Sequence, residues 1–149
     1  MIRKIFGVSL LVFVLSLTGC ASVPMANKDA DAQAKTFAPA ADQATLYIYR
    51  NEKMGSAVKM SVLVDGKDIG KTAAGTYIRQ TLPAGTHVLV SKAENDASLD
   101  IDVKAGQTYF VWQEVKMGFV SARSALHLVD EQKGRAGVEQ CSLVQSPLH

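Results

Sequence analysis

Residues 60–92, MSVLVDGKDIGKTAAGTYIRQTLPAGTHVLVSK, decide how this chain folds. The apolar run over 60–64 stops at Asp65-Gly66. That dipeptide readily takes the positive φ angles of a two-residue hairpin, so 67–70 should run back along 60–64. Residues 76–82 form the next expected strand, closed by Pro83-Ala84-Gly85. The strand after it covers 86–92, with Val88 and Val90 on one face.

The same pattern extends in both directions. Upstream, 45–49 alternates Leu46 and Ile48 with Tyr47 and Tyr49. Downstream, 99–103 sets Leu99, Ile101 and Val103 on one side, and Asp100, Asp102 and Lys104 follow on the other. Gly106 marks the turn into 109–115, which carries the only tryptophan, Trp112. A last strand near 125–129 leads to Asp130, a suitable helix N-cap, with Glu131 supplying an acid to the first turn. The helix should run to about Cys141, weakened by Gly134 and Gly137, with Val138, Cys141 and Val144 as its buried stripe. Seven or eight short strands with frequent turns predict a mainly β domain over 45–149. The expected form is an antiparallel β-sandwich with one C-terminal helix.

The N-terminus has a different character. Arg3 and Lys4 precede an uncharged stretch over 5–18, which ends at Leu17-Thr18-Gly19-Cys20. A basic start followed by a short apolar segment is the layout of a secretory signal over 1–19. Spanning a bilayer takes about 20 apolar residues, so an uncleaved anchor is the poorer reading. Leu17, Thr18 and Gly19 before Cys20 resemble a bacterial lipobox. The resemblance implies cleavage before Cys20, diacylglycerol and N-acyl lipid on its thiol and amine, and a membrane held as partner. Two or more acyl chains anchor stably where one binds marginally. Ala21 and Ser22 follow in place of the aspartate that often retains such proteins in the inner membrane, so the expected location is the outer membrane, facing the periplasm. Residues 20–44 are Ala-rich with few aromatic or β-branched residues, and are expected to form a flexible tether, with a short helix allowed near 29–35.

Charge and cysteine content narrow the function. The whole chain has 16 Lys+Arg against 14 Asp+Glu, and removing 1–19 leaves 14 against 14. A neutral secreted chain without a basic patch is not built for nucleic acid. With Cys20 lipidated, Cys141 is the one remaining cysteine, so no internal disulfide is expected, and a small buried hydrophobe is its simplest role.

A family resemblance rests on motifs in order: Tyr49-Arg50, Gly55, Val62-Leu63-Val64-Asp65-Gly66-Lys67 with Ile69-Gly70, Gly75-Thr76-Tyr77, and Leu82-Pro83-Ala84-Gly85-Thr86-His87. Over about 45–115 the chain resembles the bacterial lipoproteins built on domain of unknown function 2846. Residues 62–87 are also similar to PEGA-type surface domains. The resemblance implies a small periplasm-facing β-sandwich on a lipid anchor and carries no activity with it.

Catalytic chemistry finds little support in the residues. Asp100 and Asp102 share a strand face about 7 Å apart, a spacing some glycosidases use, but Lys104 shares that face and a solvated surface explains all three. His87, His127 and His149 lack ligand-spaced partners for zinc. No nucleophile elbow and no phosphate-binding glycine loop occurs in the sequence. No enzyme activity, metal or cofactor is therefore expected, apart from the lipid on Cys20. The richest stretch is 111–123, mixing Trp112, Met117 and Phe119 with Gln113, Glu114, Lys116 and Arg123. Glu114, Lys116 and Arg123, together with Arg50 and residues 52–55, form the candidate binding surface. Two function classes follow: a module docking another envelope protein, or one binding peptidoglycan or a similar glycan, the latter encouraged by Tyr47, Tyr49 and Tyr77.

Overall fold

The computed structural model describes residues 22–147. Leu17, Thr18, Gly19 and Cys20 of the expected lipobox, and His149, lie outside the described residues. The elements in order are α1 (Lys28–Ala34), β1 (Ala44–Arg50), β2 (Met60–Val64), β3 (Lys67–Thr72), β4 (Thr76–Leu82), β5 (Gly85–Lys92), β6 (Asp96–Val103), β7 (Thr108–Met117), β8 (Ala122–Val129), α2 (Glu131–Glu139) and β9 (Ser142–Leu143). One sheet has the order β8-β7-β1-β4-β9 and the other β3-β2-β5-β6. Two such sheets face to face are the expected sandwich.

Two pairings depart from the antiparallel expectation. β1 lies parallel to β7, with Ile48 opposite Val111, and β4 lies parallel to β9. Parallel neighbours need long crossover connections, and here the whole second sheet lies between β1 and β7 in sequence. Local alternation cannot reveal such a partner.

β1 is buried along its whole length, because both faces of its sheet are covered. Leu46 and Ile48 point between the sheets with Val62, Val64, Leu89, Ile101 and Val111. Tyr47 and Tyr49 point outward, beneath the helices, and pack with Tyr77, Phe110, Phe37 and Val138. Val138, Cys141 and Val144 are all buried, but not as one helical stripe: α2 ends at Glu139, Cys141 follows it, and Val144 bridges Met25 and packs between the sheets. Burial pushes the Cys141 thiol up to about 11, which removes it as a nucleophile. Asp130 caps α2, its carboxylate accepting from Lys133 N at 2.9 Å. Between the sheets a buried polar line runs from Thr72 Oγ1 to Gln113 Oε1 (2.5 Å), from Gln113 Nε2 to Ser91 Oγ (2.6 Å), and on to Ser124 Oγ (2.7 Å). Each of these side chains is satisfied by the next, so the line fixes how the two sheets register.

The expected tether is a packed segment from Val23 onward. Met25 bridges Val144, and Val23, Ala34 and Phe37 are buried. α1 is capped by Asn27 and pinned at three points. Tyr47 Oη donates to Ala34 O at 2.7 Å, and Tyr77 Oη donates to Asp31 Oδ1 at 2.8 Å. Lys35 Nζ bridges Asp31 Oδ2 (2.9 Å) and Cys141 O (2.6 Å). Composition underestimated this segment because its anchors are single residues meeting partners far away in sequence.

The Asp65-Gly66 hairpin forms as expected, with φ of 51° and 78°. Asp65 also holds the following turn: Oδ2 lies 2.6 Å from His87 Nδ1, and Oδ1 accepts from Val88 N at 2.9 Å. His87 Nε2 faces Pro83 O at 2.7 Å. The Asp65 hydrogen bond, followed by the Pro83 carbonyl, favours the imidazolium and raises the His87 pKa. The His87 hydrogen bond likewise lowers that of Asp65. A raised histidine adds stability that is complete below its unfolded value of about 6.5 and lost as pH rises through the folded value. The depressed aspartate adds stability above its unfolded value of about 3.9, lost as pH falls through the folded one. The native chain should therefore exceed Asp65→Asn in Tm by more at pH 6 than at pH 9. A gap that does not change with pH would disprove the charged pair.

Candidate functional site

One end of the sandwich gathers most of the expected surface residues, and three charged side chains build it. The β7–β8 hairpin pairs Lys116 with Arg123 and Met117 with Ala122, leaving residues 118–121 as its tip. Met117 is 84 % exposed, Phe119 99 % and Val120 95 %. Large apolar side chains this bare normally lie on mobile loops or at contacts.

This tip is held from behind. Glu94, in the β5–β6 turn, accepts from the amides of Phe119 (3.0 Å), Val120 (3.0 Å) and Ser121 (2.7 Å). Those bonds, Ser121's foremost, hold the Glu94 carboxyl below its ordinary value. Arg123 Nη1 lies 3.9 Å from Glu94 and adds to the same effect. At Gly118 a Cβ would collide with Ser121 O and the Glu94 carboxylate, so only glycine admits the clamp. Asn95 secures the neighbouring strand, exchanging two hydrogen bonds with the backbone of Ser124 in imitation of a strand pair.

Opposite the tip lies the 51–59 connection. Glu52 Oε2 accepts from Val115 N at 2.6 Å. Arg50 Nη1 donates to Val58 O and Nη2 to Gly55 O, both at 2.7 Å. Gly55, at φ 67°, sits against Val115, Ala122 and the Arg50 guanidinium, where a side chain would not fit. Between this connection and the tip is an apolar cleft of about 390 Å³, bordered by Met54, Val58, Val115, Met117 and Phe119.

The expected surface residues separate here. Lys116 and Arg123 stand exposed beside the tip. Glu114 is half-buried, 2.7 Å from His127 Nε2 and 3.6 Å from Lys116 Nζ, and His127 draws its carboxyl below the usual range. Arg50 does not belong to the expected binding surface: it is 0 % exposed and presents nothing to a partner. Its side chain is an internal strut for the 51–59 connection, and its Nε has no acceptor among the described residues. Burial lowers its pKa from the ordinary arginine value, against the opposing pull of Glu52. Trp112 is half-buried on the outer face, with Lys133 Nζ 4.9 Å from its ring centroid and His127 at 5.1 Å. Asp100 and Asp102 face solvent on β6. Tyr47, Tyr49 and Tyr77 lie under the helices, which removes the stacking surface that encouraged a glycan reading.

Glu94 escaped the sequence reading. It sits in a charged turn, Glu94-Asn95-Asp96, that looks like ordinary solvated surface. Its partners are 25 to 27 residues away. No group of three His, Cys, Asp or Glu side chains capable of holding a metal occurs among the described residues.

Comparison with known proteins gives two matches. Residues 40–125 match the model of the family described as "Protein of unknown function (DUF2846)". An uncharacterized protein of Haemophilus influenzae is 30% identical over 148 residues, covering 97% of this chain and 88% of the relative. No solved structure matches.

Proposed function

Since the chain belongs to the DUF2846 family, whose function is unknown, we propose its role from the site itself: a lipid-anchored, non-catalytic envelope protein that docks a partner protein through the β7–β8 tip and the exposed Met117 beside it. The observation that carries this reading is the pairing of near-total apolar exposure with a rigid clamp. A loop under no constraint would fold Phe119 and Val120 back against the cleft beside them. Glu94 prevents this by fixing three consecutive tip amides. Holding these side chains in water lowers the ordering cost of any complex that buries them. Lys116 and Arg123 flank the tip, so the complementary partner surface is an apolar pocket with an acidic rim.

The anchor belongs to the same proposal. Cys20 precedes the first described residue by two positions, and 23–26 runs beside β9, at the sheet edge opposite β7 and β8. On this reading the tip stands across the sheet from the anchored edge, offset sideways by roughly 20 Å at about 4.8 Å per strand, and is open to the periplasm of an outer-membrane location.

Photo-crosslinking in living cells tests the docking role, with probes placed at Lys116, Val120 and, as control, Asp100. The expected result is one discrete protein adduct from the tip positions and none from Asp100. It should disappear in Phe119→Asp, whose Tm should match the native value because the ring is 99 % exposed, and weaken in Glu94→Ala. An adduct insensitive to Phe119→Asp, or crosslinks to peptidoglycan alone, would remove the protein-docking reading.

A further inference from the structure

At the other edge of the sheet a groove of about 450 Å³ runs beside the N-terminal segment. Val23, Pro24, Val144 and Pro147 supply apolar walls, and Lys59 and Lys71 are its charged lining residues, with no carboxylate among them. Both lysines are exposed, and neither forms an ion pair among the described residues. The groove is open where β3 of one sheet meets β9 and residues 23–26 of the other.

We propose that this groove seats the headgroup and upper acyl region of an anionic phospholipid from the membrane that holds Cys20. The inference rests on the lipidation reading and extends it to the folded domain. Chain length commits the occupant. One residue, Ala21, separates Cys20 from Ser22, and extended chain covers at most about 3.6 Å per residue, so the Cα of Cys20, whose thiol and amine carry the acyl chains, lies within about 7 Å of that of Ser22. Ala26 N donates to Leu143 O of β9, and Gln145 N, just beyond β9, donates to Pro24 O, both at 2.9 Å, so 24–26 is held to the domain and only three residues lie between Cys20 and Pro24. The wall formed by Val23 and Pro24 is therefore carried to the bilayer surface. There, two unneutralised ammonium groups above an apolar floor match a phosphate joined to acyl chains, and a basic patch at an anionic leaflet is attractive.

The test uses the processed protein extracted from membranes and reconstituted on the outside of vesicles. A membrane-impermeant amine reagent labels its lysines in vesicles of phosphatidylcholine with or without phosphatidylglycerol. Mass spectrometry then reads each lysine and the Cys20 peptide. Lys59 and Lys71 should be protected about fivefold more when phosphatidylglycerol is present, the factor that one lysine contact near a charged surface corresponds to. Lys53 and Lys116, at the tip end, should be labelled equally in both. In Lys71→Gln the protection of Lys59 should fall.

Equal labelling of Lys59 and Lys71 in the two vesicles, with acyl chains found on Cys20, would overturn the groove and leave the anchor standing. Protection with an unmodified Cys20 would keep the groove and refute the anchor, while neither protection nor acylation would end both. Protection by inorganic phosphate alone, or equal protection of Lys53 and Lys116, would also overturn the proposal. The first would reveal a free-anion site and the second unspecific adsorption.

Discussion

Replacing Gly134 and Gly137 together by alanine is expected to destabilise the protein by about 3 kcal/mol, although alanine is the better helix former. In an exposed helix each change would gain up to about 1 kcal/mol. On α2 both glycines are buried, and both face the sheet. A Cβ at Gly134 would enter the Phe110 ring, and one at Gly137 the Tyr49 ring. Neither ring can retreat. Phe110 stacks on Tyr47 with centroids 5.3 Å apart, and Tyr49 is sealed against Val138 and Cys141. Overpacking costs about 1–3 kcal/mol per site, which exceeds the propensity gain. Urea unfolding followed by Trp112 fluorescence and circular dichroism measures the difference. Ala136→Gly on the exposed face should cost only about 1 kcal/mol, the ordinary propensity effect. A double variant as stable as the native chain would mean that α2 does not sit against β1 and β7.

Arg50→Ala is expected to lose about 3 kcal/mol and to release the 51–59 connection, with Arg50→Lys falling between it and the native chain. Removing the guanidinium leaves Val58 O without its side-chain donor and takes one of two donors from Gly55 O, and a buried acceptor without a partner costs about 1–3 kcal/mol. The cavity left by a side chain that is 0 % exposed adds to that loss. Relief from burying a cation offsets part of it. Lysine keeps the charge but lacks the fork that reaches both carbonyls. Beyond the loss of stability, the amide of Val58, which donates to Gly55 O at 2.9 Å, should exchange faster with solvent. Unchanged stability in Arg50→Ala would show that Glu52 alone holds the connection. Partner crosslinking at the tip should fall too, because the cleft loses one wall. Phe119→Asp should abolish crosslinking without altering stability, which distinguishes the contact from its support.

The candidate site was half legible in sequence. The stretch 111–123 and residues 52–55 announced themselves by mixing large apolar residues with charges, and the structure places them at one end. Which residue does what was not legible. Arg50 reads as surface because arginine nearly always is, yet the carbonyls that accept its hydrogen bonds exist only once the 51–59 connection has folded over it. Gly134 and Gly137 read as helix weaknesses and turn out to be points of closest approach.

Sequence alone determined the features whose causes are local. Strands β2 and β4 begin and end where alternation and turn residues place them, Asp65-Gly66 makes its hairpin, and Asp130 caps α2, because period-two burial, positive φ and capping involve neighbours within a few positions. Tertiary structure alone decided the parallel neighbours of β1 and β4, the docking of 23–37, the burial of Arg50 and the Glu94 clamp. Each depends on groups distant in sequence, whose meeting is set by how two sheets and two helices bury their apolar faces together, and no local pattern records that.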